Sequence, residues 1–162
     1  MPDKKRIVFI TSGGGHLDQA LCLVPGFKDC DILVATYAQD MTNTIEETLP
    51  GIRVRRITYL SKKINAMLAC QLCINFFQFL AILVSFRPHV IISTGSEIAC
   101  PAFFAALLFS RAQRIHIETV ERVATLSLTG KVMRMLAQRI FVQWPKLIPM
   151  AGLKSIYMGR IC

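Results

Sequence analysis

Five residues near the start of the chain have types and spacing suited to chemistry: Ser12, Gly13, Gly14, Gly15 and His16 read SGGGH. They lie between an apolar run typical of a strand and an amphipathic segment typical of a helix. The glycines free the backbone to approach a ligand closely, and a helix N-terminus offers N–H groups to a phosphate. The stretch matches neither the GxGxxG dinucleotide fingerprint nor the GxxxxGK(S/T) phosphate loop. The histidine is either a base or donor toward a ligand, or a residue that only packs at the helix start.

Two later loops carry similar residue types. Thr94, Gly95, Ser96 and Glu97 end an apolar run and open a helix of small residues, where they either contact a ligand or simply cap that helix. Glu118 ends another apolar run, in a position where a carboxylate can face the same crevice as the histidine. The three loops together predict one shared site more strongly than any loop does alone.

The elements that must position these loops alternate between strand and helix patterns. Strands are predicted at 6–11, 31–36, 53–58, 89–94, 114–119 and 139–144, and helices at 17–24, 40–49, 65–86, 97–109 and 126–137. This βαβ rhythm predicts an α/β, Rossmann-like parallel sheet with helices on both faces. The strand at 53–58 is less apolar than the others and is expected at an edge. Ligands of such sheets bind beyond the strand carboxyl ends, where the three loops lie.

One long apolar segment is open to two interpretations. Residues 64–86 run for 23 residues without a charge, which is enough to span a bilayer. Gln71, Asn75, Gln78 and Ser85 nevertheless fall on one helical face, and a spanning helix would separate the strands on either side of it. The favoured prediction is a crossover helix that partly covers the sheet and partly enters the membrane interface.

Composition narrows the function classes. The chain has 162 residues, 53% of them hydrophobic, and a net charge of +9. These values predict a single domain, 1–162, that meets a membrane or a polyanionic ligand. No nucleic acid is expected, because a basic face with interleaved aromatic residues or a recognisable reading motif is missing. Cys70 and Cys73 lie inside the long apolar segment, where packing is the preferred interpretation over a metal site.

Four stretches occur in order and together carry a resemblance: TSGGGH, STGSEIACP, HIETVERVATLSLTGK and IFVQWP. The chain resembles PssD-type bacterial polysaccharide biosynthesis proteins and the membrane-anchoring subunit of the eukaryotic dolichol-linked N-acetylglucosamine transferase. More distantly it is similar to the N-terminal half of the glycosyltransferase that makes peptidoglycan lipid II. The likeness runs from Arg6 to about Gly159.

This resemblance implies the N-terminal half of a GT-B glycosyltransferase that is divided between two chains. The present chain would bind a lipid-diphosphate-linked sugar acceptor, and a partner with the GT-B C-terminal half would bind the UDP-sugar, so no donor-binding domain is expected here. The reaction would be inverting and would use no metal and no other cofactor. His16 and Glu118 would act as a base and its positioning partner, in an order left open. The pocket would be lined by Ser12 to Gly15, which we call the glycine loop, and by Thr94 to Glu97.

The resemblance also implies a place at the membrane. The expected location is the cytoplasmic face of the cytoplasmic membrane, peripheral or inserted into its interface. The residues expected to contact lipid are Lys62, Lys63, Phe76, Phe77 and Phe79. The alternative function is a noncatalytic membrane scaffold that activates a partner glycosyltransferase.

Overall fold

The computed structural model describes residues 4–37, 45, 49, 51–61, 66–157 and 159–161. Within these ranges all strands form one parallel sheet of seven strands in the order β3-β2-β1-β4-β5-β6-β7. The strands are β1 (Arg6–Ile10), β2 (Asp31–Thr36), β3 (Arg53–Arg56), β4 (Val90–Ser93), β5 (Gln113–Ile117), β6 (Arg139–Val142) and β7 (Ser155–Tyr157). The parallel Rossmann-like sheet predicted from the sequence is confirmed, and β3 lies at an edge as expected.

Five α-helices are described. They are α1 (Gly15–Leu23), α2 (Ala66–Phe86), α3 (Ala99–Phe109), α4 (Leu128–Leu136) and the single-turn α5 (Ile148–Ala151). Short 3₁₀ turns follow α1 at Val24–Phe27 and precede α5 at Pro145–Leu147. The helix predicted at 40–49 lies largely outside the described residues. The strand β7 was missed by the sequence analysis because its three residues are too short for a periodic signal.

Apolar side chains cover both faces of the sheet, which explains why most strands are continuous apolar runs. Val8 and Ile10 of β1 join α2, α3 and α4 in one core cluster. Ile7 and Phe9 point the other way and pack with α1. Because neighbouring residues of one strand enter opposite clusters, the sheet is held between two apolar layers.

The long helix α2 connects two strands of this same sheet. It follows β3, precedes β4 and packs along α3. Its length and composition would also suffice to cross a membrane. The prediction of a crossover helix is therefore confirmed, since both flanking strands belong to one hydrogen-bonded sheet.

Candidate functional site

The loops after β1 and β4 are joined by a reciprocal pair of hydrogen bonds. The Thr94 hydroxyl donates to the His16 carbonyl oxygen at 2.7 Å, and His16 Nδ1 lies 2.8 Å from the Thr94 carbonyl oxygen. Thr94 is fully buried, and its hydroxyl also lies 3.1 Å from the hydroxyl of Thr11 at the end of β1. The glycine loop and the second loop therefore form one unit at the edge of the sheet where the strands end, hereafter the carboxyl edge.

Two glycines in this unit have backbone conformations that other residues rarely adopt. Gly14 precedes α1 with φ of +73°, and Gly95 has φ of +108°. A Cβ atom on Gly95 would lie 2.9 Å from Cε1 of His16. The second loop thus needs a glycine both for its turn and for the space that the histidine ring occupies.

The bond to Thr94 also fixes how a neutral His16 carries its proton. A carbonyl oxygen can only accept, so Nδ1 must hold the hydrogen. The other ring nitrogen, Nε2, then presents its lone pair. His16 is half-buried at the start of α1, so its ring is held in one orientation at the carboxyl edge.

Glu118 lies at the same edge but does not hold His16. Its carboxylate is fully buried, with Oε1 accepting from the Thr119 N–H at 3.1 Å and Oε2 from the Ser127 N–H at 3.2 Å. The Ser127 hydroxyl in turn accepts from the Gly130 N–H at 2.8 Å and caps α4. No hydrogen bond joins Glu118 to His16 among the described residues, and their roles as base and positioning partner stay a prediction. The carboxylate instead fixes the loop between β5 and α4, while the Thr94 carbonyl orients the histidine.

A buried glutamine pair was not predicted from the sequence. Gln143 Nε2, just after β6, donates to Gln19 Oε1 of α1 at 2.8 Å and to the Glu118 carbonyl oxygen at 3.0 Å. The pair therefore connects the loop after β5, which carries Glu118, to α1. Its position in the sequence could have indicated a role at the site, because Gln143 directly follows β6 at the carboxyl edge.

The buried His116 of β5 was also missed, since it falls inside an apolar strand pattern. Neither ring nitrogen has a hydrogen-bond partner among the described residues, and the same holds for the hydroxyl of the buried Ser96. Burial, with a smaller contribution from nearby His16, lowers the pKa of His116 to about 3. His116 is therefore neutral in the folded protein.

Glu97, in the turn between β4 and α3, has a tyrosine neighbour. The Tyr37 hydroxyl, just beyond β2, donates to Glu97 Oε1 at 3.4 Å. Burial and the charge of Glu97 raise the pKa of Tyr37, while a hydrogen bond with the Ser12 side chain opposes this shift. Residues that follow β1, β2 and β4 thus converge on one side of the glycine loop.

The residues expected to contact lipid do not all share one surface. Phe77 is 65% exposed on α2, and the half-buried Phe76 packs against Phe104 and Phe109 of α3. Phe79 is 2% exposed and lies in the core under α2, so a membrane contact at Phe79 is wrong. Lys62 and Lys63 lie outside the described residues.

In the described part of the chain, no group of three His, Cys, Asp or Glu side chains lies close enough together to hold a metal ion.

Solved structures identify the class of this fold. MurG from Acinetobacter baumannii superposes with a TM-score of 0.78 at 15% identity, covering 95% of this chain and 45% of that one. A UDP-N-acetylglucosamine 2-epimerase from Rickettsia bellii gives a TM-score of 0.72 at 12% identity, with 98% and 46% covered. The fold is thus the Rossmann-like N-terminal domain of GT-B proteins.

The family follows from the sequence comparison. A family model described as "Oligosaccharide biosynthesis protein Alg14 like" matches residues 33–161, and the chain belongs to this family.

Several relatives bear the name UDP-N-acetylglucosamine transferase subunit ALG14. The Mus musculus protein is 35% identical over 80 residues, which is 46% of this chain and 36% of the relative. The Yarrowia lipolytica protein is 25% identical, covering 86% of this chain and 61% of the relative, and the Schizosaccharomyces pombe protein is 24% identical, covering 90% and 79%. The chain thus aligns with only about a third of the length of the mouse relative.

Proposed function

We propose that this chain is the acceptor-binding, membrane-associating subunit of a two-chain inverting glycosyltransferase. The sugar would pass from a UDP-sugar to a lipid-diphosphate-linked acceptor. The observation that carries the proposal is the locked pair of loops that orients His16 with Nε2 available as a base. Family membership supports the reaction class, and the relatives are named transferase subunits.

The chemistry is a single displacement. The acceptor hydroxyl oxygen attacks the anomeric carbon of the donor sugar while the bond from that carbon to the UDP oxygen breaks. His16 Nε2 accepts the hydroxyl proton, and the bonding electron pair leaves with UDP. The Thr94 carbonyl accepts from Nδ1 throughout, so it stabilises the imidazolium that forms.

The neighbouring groups suit the phosphates and the pocket wall. Gly13 and Gly14 precede α1 and Gly15 is its first residue, and the N–H groups of this helix N-terminus favour an anion. Ser12, Gly95, Ser96 and Glu97 would line the rest of the pocket. Glu118 is a positioning residue in this proposal, because its oxygens are bonded to the loop that it holds.

The donor-binding half is proposed to lie on a partner chain. Support comes from the word subunit in the names of the relatives. Purified chain and candidate partner are assayed singly and together with a UDP-sugar and a lipid-diphosphate sugar acceptor. Transfer is expected only from the pair, and full activity from either chain alone would contradict the division.

His16→Gln in the reconstituted pair tests the base. Removing a general base is expected to lower kcat by about 10²–10⁴-fold with little change in partner binding. His89→Gln is the matched control, since His89 is exposed at the opposite edge of the sheet, and it should leave kcat unchanged. If His16→Gln binds the partner and supports normal turnover, His16 is not the base; if a Glu118→Ala variant does so as well, the noncatalytic scaffold is the correct function.

A further inference from the structure

The segment after β3 is fastened to α2 by the polar face of that helix. The Thr58 N–H donates to Gln78 Oε1 at 3.0 Å, and the Ser61 N–H donates to Gln71 Oε1 at 2.8 Å. Asn75 is fully buried and donates through Nδ2 to the Thr58 carbonyl oxygen at 2.8 Å. We call residues 57–61 the tyrosine segment. Its backbone is held at several points to a helix that is itself part of the core.

The anchoring leaves one aromatic side chain facing outward. Ile57 and Leu60 are buried at 6% and 3% exposure, whereas Tyr59 between them is 45% exposed. The Ile57 N–H donates to the Thr36 carbonyl oxygen at 2.9 Å, which places the segment directly beyond the carboxyl ends of β2 and β3. Tyr59 is therefore a fixed, exposed ring at the same edge of the sheet as His16.

A second tyrosine and a carboxylate complete the arrangement. The rings of Tyr59 and Tyr37 meet edge to face, with centroids 5.0 Å apart and planes at 86°. The Tyr37 hydroxyl reaches Glu97 beside the loop that holds His16. An exposed aromatic ring, a phenol and a carboxylate thus run from the tyrosine segment toward the base.

We propose that Tyr59, Tyr37 and Glu97 form the subsite for the saccharide of the lipid-linked acceptor. The inference rests on the proposed function and extends it to the sugar itself. The C–H groups of a pyranose ring carry partial positive charge and pack well on an aromatic face. A carboxylate and a phenol supply acceptors and a donor for the sugar hydroxyl groups.

The negative charge of Glu97 separates the proposed place of the saccharide from that of the diphosphate. Glu97 repels a diphosphate, which is favoured instead at the glycine loop and the N-terminus of α1. The tyrosine segment also rests on α2, whose outer face exposes large apolar side chains such as Phe77.

The test compares two lipid probes: a phytanyl diphosphate carrying N-acetylglucosamine, and phytanyl diphosphate without a sugar. Binding of each to the full chain is measured by titration calorimetry in detergent micelles. Tyr59→Ala is expected to raise Kd for the sugar-bearing probe about three- to tenfold, the size of an aromatic contact, and to leave Kd for the sugar-free probe unchanged. Tyr59→Phe retains the ring and should stay near wild type.

Tyr157→Ala is the matched control, because Tyr157 is 43% exposed on β7 at the far edge of the sheet. It should change neither Kd. The subsite is overturned, with the proposed function intact, if Tyr59→Ala binds the sugar-bearing probe as wild type does or weakens both probes equally. Wild-type chain that binds neither probe would overturn acceptor binding and the subsite with it.

Discussion

At the scale of single residues, the site depends on groups that fix one another. Thr94 donates to the His16 backbone and accepts from its ring, so a single buried residue sets both the loop and the tautomer. A hydrogen bond of this kind contributes about 1 kcal/mol to stability. Its larger effect here is chemical, because it leaves Nε2 as the nitrogen that can take a proton.

Gly130→Ala tests the buried position of Glu118. A Cβ atom at Gly130 would overlap Oε2 of Glu118. Because Glu118 is fully buried, its carboxylate has no free space to move into. Alanine in a helix normally stabilises by about 1 kcal/mol, but this overlap is expected to give a net loss of about 1–3 kcal/mol in the free energy of unfolding. Urea denaturation followed by circular dichroism measures the change.

The control for that substitution is Gly26→Ala. Gly26 is exposed in the first 3₁₀ turn, and a Cβ atom there meets nothing within 4 Å. Its free energy of unfolding should stay within about 0.5 kcal/mol of wild type. A Gly130→Ala variant more stable than wild type would show that the carboxylate does not occupy this place.

The neutral His116 predicts a dependence of stability on pH. Its folded pKa of about 3 lies below the ordinary value of 6.5, so between these values the unfolded chain binds a proton that the folded chain excludes. The contribution of neutral His116 to the free energy of unfolding is complete above pH 6.5. It is lost as the pH falls toward 3, by up to about 1.4 kcal/mol per pH unit. The free energy of unfolding, measured with urea at pH 4 to 7, should rise with pH at this slope. The His116→Gln variant should show a smaller slope, because its unfolded state no longer binds this proton. Equal slopes for both proteins would contradict a buried neutral histidine.

At the scale of elements, α2 has three surfaces: one packs in the core, one binds the tyrosine segment and one is exposed. Phe79 and Ile82 pack into the core, while Gln71, Asn75 and Gln78 hold the tyrosine segment. The outer surface, together with that of α3, exposes large apolar side chains; these include Met67, Phe77, Val84, Phe104, Leu108 and Phe109. A patch of this kind on adjacent helices marks an interaction surface, and its proposed occupant is the membrane interface.

Replacing Phe77 and Phe109 by glutamate tests this surface. The rings are 65% and 60% exposed, so the double variant should fold normally. Losing two aromatic contacts with lipid and adding two negative charges should lower binding to vesicles of anionic phospholipid by about tenfold or more. Vesicle sedimentation measures the bound fraction. Leu153→Glu, at a fully exposed site in the turn before β7, should bind as wild type does. An equal loss in both variants, or none, would contradict the assignment.

At the scale of the whole molecule, strand order decides where the site forms. β1 lies between β2 and β4, so the strand order reverses at this point, and the helices α1 and α3 that follow β1 and β4 pack on opposite faces of the sheet. Crevices at such reversals bind the ligands of open α/β sheets. The glycine loop, Thr94 and the tyrosine segment all lie around this position. The sites proposed for the diphosphate and the saccharide therefore both lie beside this crevice.

Local patterns in the sequence determined much of the fold. Continuous apolar runs and the changes to helical periodicity placed β1, β2, β4 and β6 within two residues of their observed bounds, because a strand buried on both faces must be apolar throughout. The pattern also placed the glycine loop, Thr94 to Glu97 and Glu118 at one edge, since parallel strands all end on the same side. The short β7 left no such pattern.

Only the tertiary structure decided the partners of the site residues. The pairing of His16 with the Thr94 carbonyl, rather than with Glu118, joins backbone and side chain across 78 positions, and periodicity carries no information on such contacts. The burial of Phe79 beside the exposed Phe77 likewise depends on where α3 and the sheet cover α2. The sequence by itself determined which residues reach the carboxyl edge, and packing decided which of them touch, because hydrogen-bond geometry is set by the meeting of distant segments.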